Sequence, residues 1–293
     1  MNADALPRFA GTAPAPSGPA RPARMWPWAT AGALCGTLAM LLLQMPAYLV
    51  APAVERATGE RIRLDNVRGT IWSGSAVVSL TAGPGSSDIR ALPGRTSWQL
   101  RPVASVTAAG STGGFAPGFR LQVEQTCCLA RPVEVLLAAS SGGIDIRFGA
   151  MDWKGPASVA QGLGMPWNTL GFDGLLRVST QTLHVRNDGQ RMQVDGRLSL
   201  TAESVSSRVS FLRPLGSYRF DIDGQAPGRS DPLRFTLATL QGPLRLSGQG
   251  FWTAGQLRFR GEAQADSGRE DALANVLNLI GNRDGPVALR VIR

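Results

Sequence analysis

Few side chains in this sequence are of a type that does chemistry. It holds one histidine, His184, and three cysteines, Cys35, Cys127 and Cys128. His184 lies in the alternating run Thr182-Leu183-His184-Val185-Arg186, beside a turn signal, and reads as an ordinary strand residue more readily than as a general base. Asp221 and Asp223 in RFDIDG share one face of a strand and could offer two carboxylates to a cation, yet the other oxygen ligands of a calcium loop are missing from that stretch. Cys127 and Cys128 are adjacent. Neighbouring strand residues point to opposite faces, so a bond between them demands a strained turn, and no second Cys or His pair completes a zinc site. They read as a bonded pair or as free thiols, in either case without a catalytic role. Cys35 lies inside an apolar run, where it is most simply a small buried hydrophobe. The glycines of GLGMP (162–166) and GFDGLL (171–176) do not form the strand-loop-helix cradle that holds a phosphate. The pattern predicts no catalytic, cofactor-binding or metal-ligating residue, no cofactor and no small-molecule substrate.

Charge offers a second route to function. The chain of 293 residues carries a formal charge of +9, and its only lysine is Lys154. Beyond residue 53, arginines with Lys154 outnumber acids, but they are spread through every candidate strand instead of lying in one stripe, and no basic segment is interleaved with aromatics. Nucleic acid is therefore not expected as a partner. An apolar content of 43% is too high for general disorder, and 35 glycines with 20 prolines argue against a mostly helical chain.

The elements that must position these residues begin with a Pro- and Ala-rich stretch, residues 1–25, read as a disordered cytoplasmic tail. Residues 26–50, WPWATAGALCGTLAMLLLQMPAYLV, hold no charge. As a helix they would span about 37 Å, enough to cross a bilayer, with Trp26, Trp28 and Tyr48 placed for the interfaces. A buried core helix would show a polar face, and a cleaved leader would have a shorter apolar run. The run reads as an uncleaved single-pass anchor. Long domains translocate largely regardless of charge, so Arg8, Arg21 and Arg24 in the short tail place the N-terminus in the cytoplasm and the rest of the chain outside it.

Residues 54–293 read as one mainly β domain. TLHVR and RMQVD flank Asn187-Asp188-Gly189 and should pair as a hairpin, with a third strand following in GRLSLTAESV. In 242–265, Leu244, Leu246 and Gly248, then Leu257, Phe259, Gly261, Ala263 and Ala265, alternate with Arg245, Arg258, Arg260 and Glu262. The arginines thus project from the polar side of a half-buried antiparallel sheet. Ser267-Gly268-Arg269-Glu270 matches a capping box, and Leu273, Val276, Leu277 and Ile280 form one stripe, predicting an amphipathic helix over 268–281 that covers the sheet and stops at Gly281. A shorter helix is expected near 156–164, and PVALRVI should be a last strand.

The anchor followed by an extended domain, GTIWSG at 69–74, GLGMPWNTLGFDGLLRVS at 162–179 and the stretch 240–292 together resemble protein N of the type II secretion system. The resemblance runs over most of 26–293 and is strongest at the C-terminus. It implies a non-enzymatic accessory component of the bacterial inner membrane, single-pass, with a periplasmic domain. Such a component takes part in export of folded proteins across the outer membrane, and its partners would be other inner-membrane subunits of that machine and, through 26–50, the lipid bilayer. A weaker resemblance to AsmA-like domains, with curved antiparallel sheets, implies the alternative of a membrane-anchored module that binds or transfers lipid or another hydrophobic ligand. Gly261, Ala263 and Ala265 would leave room for such a ligand, although packing against the 268–281 helix accounts for them as well.

Overall fold

The computed structural model describes residues 26–107, 115–140, 143–165, 167–187, 192–224, 232–253, 256–280 and 288–290. The chain divides into two compact units, Met1–Gln44 and Met45–Arg293. In the first, helix α1 (Trp26–Leu43) is apolar all round, and its large side chains are exposed, Trp26 and Trp28 at 81%. Eighteen residues rise about 27 Å. The helix expected over 26–50 is thus corrected to a shorter one, and among the described residues no helix is long and apolar enough to cross a membrane. Pro46 explains the break. It disfavours helical geometry at Met45 and cannot donate to a helical carbonyl. Instead the Met45 carbonyl accepts a hydrogen bond from Ile71 N–H at 2.9 Å, Pro46 bridges Thr70, and Ala47 is fully buried. A 3-10 turn (Ala47–Leu49) and helix α2 (Val50–Ala57) follow, so the last part of the apolar run belongs to the second unit.

Among the described residues, that unit is built on one antiparallel sheet of 15 strands. The first eight are β1 (Ile62–Gly69), β2 (Ser73–Thr81), β3 (Ile89–Ala91), β4 (Thr96–Thr107), β5 (Phe115–Gln125), β6 (Val133–Ser140), β7 (Gly143–Phe148) and β8 (Met151–Pro156). A 3-10 segment (Ala157–Leu163) and one turn of helix, α3 (Trp167–Leu170), lead to β9 (Asp173–Asn187) and β10 (Met192–Ser206). Then come β11 (Gly216–Asp223), β12 (Leu233–Gln241), β13 (Leu244–Thr253), β14 (Gln256–Ala265), helix α4 (Glu270–Ile280) and β15 (Ala288–Arg290). Almost every strand pairs with its neighbour in sequence, as a meander does. Two strands depart from this: β2 takes β3 through Ser79–Thr81 and β4 through Ser73–Ala76, and at β9, β7 pairs with the C-terminal part (Ile144↔Asn187 to Phe148↔Leu183) and β8 with the N-terminal part (Met151↔Thr180 to Pro156↔Leu175). Two short strands therefore share one edge of a long one. The expected hairpin is present, with Val185 opposite Val194 and His184 opposite Asp195, while its turn at 188–191 lies outside the described residues. The predicted helix near 156–164 is a 3-10 segment, entered from Pro156 and left at Gly164, where φ is +80°.

The core gathers where α4 meets the sheet. Leu273 and Val276 are fully buried against Val205, Leu215, Tyr218 and Leu244, with Leu277 and Ala265 at the margin. The apolar stripe thus does what its spacing predicts, but the helix begins at Glu270, two residues later than the capping box implies, because Gly268 adopts φ +80°. Its stop at Gly281 lies outside the described residues. Farther along the same face Phe220 stacks on Phe235 with centroids 5.9 Å apart, and Phe259 lies 6.3 Å from Phe220. Gly248 and Gly250 permit this: a Cβ on either would stand 2.5 or 2.7 Å from the Phe259 ring. Gly261 also lies under that ring, and Ala263 and Ala265 lie toward the helix side, so packing uses the small residues of the alternating run.

The Tyr218 hydroxyl donates to the Leu244 carbonyl at 3.1 Å, and burial pushes its pKa well above the ordinary 10.0. A raised acid stabilises the fold below the unfolded value, so its contribution should hold up to about pH 10 and decline above it as the unfolded chain ionises. We predict that Leu273→Ala lowers stability by about 2–5 kcal/mol, read from urea unfolding, whereas Asn278→Ala on the exposed side of α4 stays within about 0.5 kcal/mol.

Candidate interaction surface

His184 sits at the junction between β7, β9 and β10. Register places Arg147 and Asp195 directly across from it, and Asp145 across from Arg186. The ring Nε2 is 2.7 Å from Asp145 Oδ1, and Nδ1 is 3.5 Å from Asp195 Oδ2. Asp145 is 1% exposed and also faces Arg147 at 3.4 Å and Arg186 at 3.7 Å. Three cationic or basic side chains therefore converge on one buried carboxylate. What the arrangement does physically is tie three strands together. Sequence alternation in Gly143–Phe148 puts Asp145 on a polar face; that it is also buried comes from long side chains of the adjoining strand, which no local pattern announces.

Asp221 and Asp223 do share a face, and each has a cross-strand partner. Ser199 Oγ donates to Asp221 Oδ1 at 2.5 Å, and Arg197 donates to Asp223. Among the described residues no group of three or more His, Cys, Asp or Glu is placed to hold a metal ion. Cys127 and Cys128 are bonded to each other in the turn after β5, where the Cys128 carbonyl accepts from Lys154 N–H at 2.8 Å and Leu129 bridges Trp153. Cys35 is exposed on α1 instead of buried, because that helix has apolar side chains on every side. The GLGMP and GFDGLL glycines lie in the segment between β8 and β9 and in the start of β9.

The sheet also offers edges and exposed cations. Strand β4 pairs with β2 only through Thr96–Gln99, so from Arg101 to Thr107 one side of its backbone has no strand partner among the described residues. Arg101 and Pro102 lie on that stretch, residues that restrain unwanted pairing at an edge. On the face opposite α4, Arg234, Arg258 and Arg260 are exposed, and among the described residues none has a carboxylate within 4.0 Å. Arg234 lies over the Phe251 ring, 5.5 Å from its centroid.

The fold and these sites define an open antiparallel β-sheet domain whose histidine and central acids are engaged in cross-strand pairs. The family model for type II secretion system (T2SS), protein N, matches residues 60–291, and the chain belongs to that family. No curated protein and no solved structure matches it.

The buried carboxylate yields a prediction. Asp145→Ala leaves Arg147, Arg186 and His184 facing one another without their shared anion, so stability should fall by about 3 kcal/mol, measured by chemical denaturation. Asp152→Ala removes a partner of Arg177 that is 61% exposed and should cost under about 1 kcal/mol.

Proposed function

We propose that this chain is an inner-membrane accessory component of the type II secretion machine, acting by scaffolding and not by catalysis. The observation that carries the reading is the family match over 60–291, which spans every strand described in the sheet. In this reading α1 lies in the bilayer with the N-terminus in the cytoplasm and the second unit in the periplasm. The helix has no charged residue and exposes its leucines, as a lipid-facing helix would. At about 27 Å it is slightly shorter than a hydrocarbon core of about 30 Å, a mismatch that local thinning accommodates at a fraction of a kcal/mol per Å. Anchoring raises the effective concentration of the domain near other membrane subunits, so weak contacts suffice. The free backbone side of β4 can then take an extended segment of such a subunit as an added strand.

Two measurements test this. Alkaline phosphatase fused after residue 60 should be active, and an inactive fusion would overturn the orientation. Deleting the gene should reduce release of folded exoproteins; unchanged release with altered outer-membrane permeability would instead favour a lipid-handling role.

A further inference from the structure

The segment between β8 and β9 contains the glycine-rich run that the edges and the anchor leave unused. It is pinned to the loop that follows β10. Ser207 Oγ donates to the Leu170 carbonyl at 2.5 Å, Arg208 N–H to the same oxygen at 3.1 Å, and Arg208 Nη2 to the Asn168 carbonyl at 3.1 Å. The Arg208 guanidinium lies close against Gly171, whose φ is +56°; a Cβ there would stand 2.0 Å from Arg208 Nε. On the other wall, Asn168 Nδ2 donates to Asp88 Oδ2 at 2.7 Å and Arg90 Nη2 to Gln161 Oε1 at 3.4 Å. Gly162 lets this wall close, since a Cβ would stand 2.5 Å from the Leu80 carbonyl and 3.1 Å from Arg90 Cβ.

The result is a cleft of about 240 Å³ with Arg90 and Arg208 among its lining residues, beside Ser87, Asp88, Gln161 and Asn168. Among the described residues neither guanidinium has a carboxylate within 4.0 Å; both are positioned by neutral oxygens, and Asp88 accepts from Asn168. Two arginines and one engaged carboxylate on the lining of one cleft leave a net positive charge there for an anion. Beside them in sequence stand exposed apolar side chains: Met165 at 80%, Trp167 at 43% and Phe211 at 96%. Trp167 also packs one side on Phe172, with ring centroids 5.9 Å apart, and large exposed apolar groups mark contact surfaces.

Resting on the reading that α1 lies in lipid, we infer that this cleft and its rim form a docking site for a phospholipid surface. A headgroup phosphate sits between Arg90 and Arg208, and Met165, Trp167 and Phe211 enter the interfacial layer. Guanidinium suits phosphate because it can give two parallel hydrogen bonds, and tryptophan suits the interface because it has an apolar ring with a polar atom.

The test uses the full chain in vesicles of phosphatidylcholine alone or mixed with phosphatidylglycerol, with nitroxide-labelled lipid as quencher. A fluorophore on Cys35, the free cysteine, reports α1; in a Cys35→Ser background, a fluorophore introduced by Phe211→Cys reports the rim. The expected result is quenching at 35 in both membranes and at 211 chiefly with phosphatidylglycerol. Arg90→Gln with Arg208→Gln should lower the docked-to-free ratio at 211 by about 30-fold, while Arg258→Gln with Arg260→Gln, the same loss of charge elsewhere, leaves it unchanged. No quenching at 211 alongside quenching at 35 overturns the docking site and leaves the anchor standing, with the rim then assigned to a protein partner. Equal loss in both double variants overturns the cleft. Absence of quenching at 35 sinks the anchor reading separately.

Discussion

The structure depends on β9 accepting two strands along one edge. Through Leu183–Asn187 it takes β7, and through Leu175–Thr180 it takes β8, while β10 occupies its whole other side. A meander alone would need one partner per edge. By taking β7 directly, β9 joins the first seven strands to the last seven in one ladder. The chain between β8 and β9 must then be an excursion from the sheet, and that is where the 3-10 segment, α3 and the cleft are found. The β7–β9 ladder is short, five residue pairs, and the buried Asp145 with His184, Arg147 and Arg186 lies across it. Cross-strand pairs are the unit of sheet stability, and here a charged group reinforces a short connection between two long runs of strands.

Burial of the apolar face is uneven along this ladder, and composition follows it. At the α4 end, Leu273 and Val276 close the core, so small residues such as Ala263 and Ala265 face a helix. Where no helix reaches, Phe259 covers Gly248, Gly250 and Gly261, a ring taking the place of three missing side chains. Toward β5 and β7, Phe119 and Ile144 remain exposed. The high glycine content read at first as a mark against helix is thus partly a packing device.

Period-two alternation made most of this legible. Residues 244–253 and 256–265 pair in the register their alternation implies, because strand periodicity survives tertiary context, and the stripe of α4 survived because its spacing matches a helix. What alternation could not supply was distance. Nothing near Asp145 in sequence says that Arg186, 41 positions on, will cover it, and nothing near Arg90 points to Arg208. The 26–50 run was misread for a local reason that was available: Pro46 interrupts it, and hydropathy alone does not register a proline. The adjacent cysteines left two outcomes open, and the structure has them bonded.

The near absence of lysine also follows from the sheet. Arg208 lies close against a glycine backbone and donates to a carbonyl, Arg234 lies over Phe251, and Arg95 donates to the Asn66 and Ser75 carbonyls at 2.9 and 3.3 Å. Each contact uses a flat group with several donors in fixed directions. An ammonium offers a compact charge that holds its water more tightly and cannot lie flat over a backbone or fork between two carbonyls. A sheet whose polar face must bind its own loops and strand ends, without enough carboxylates to do so, therefore favours guanidinium. The excess positive charge is then a consequence of how this face is held together, and where neutral oxygens hold Arg90 and Arg208 on the lining of one cleft it leaves a place that an anion could occupy.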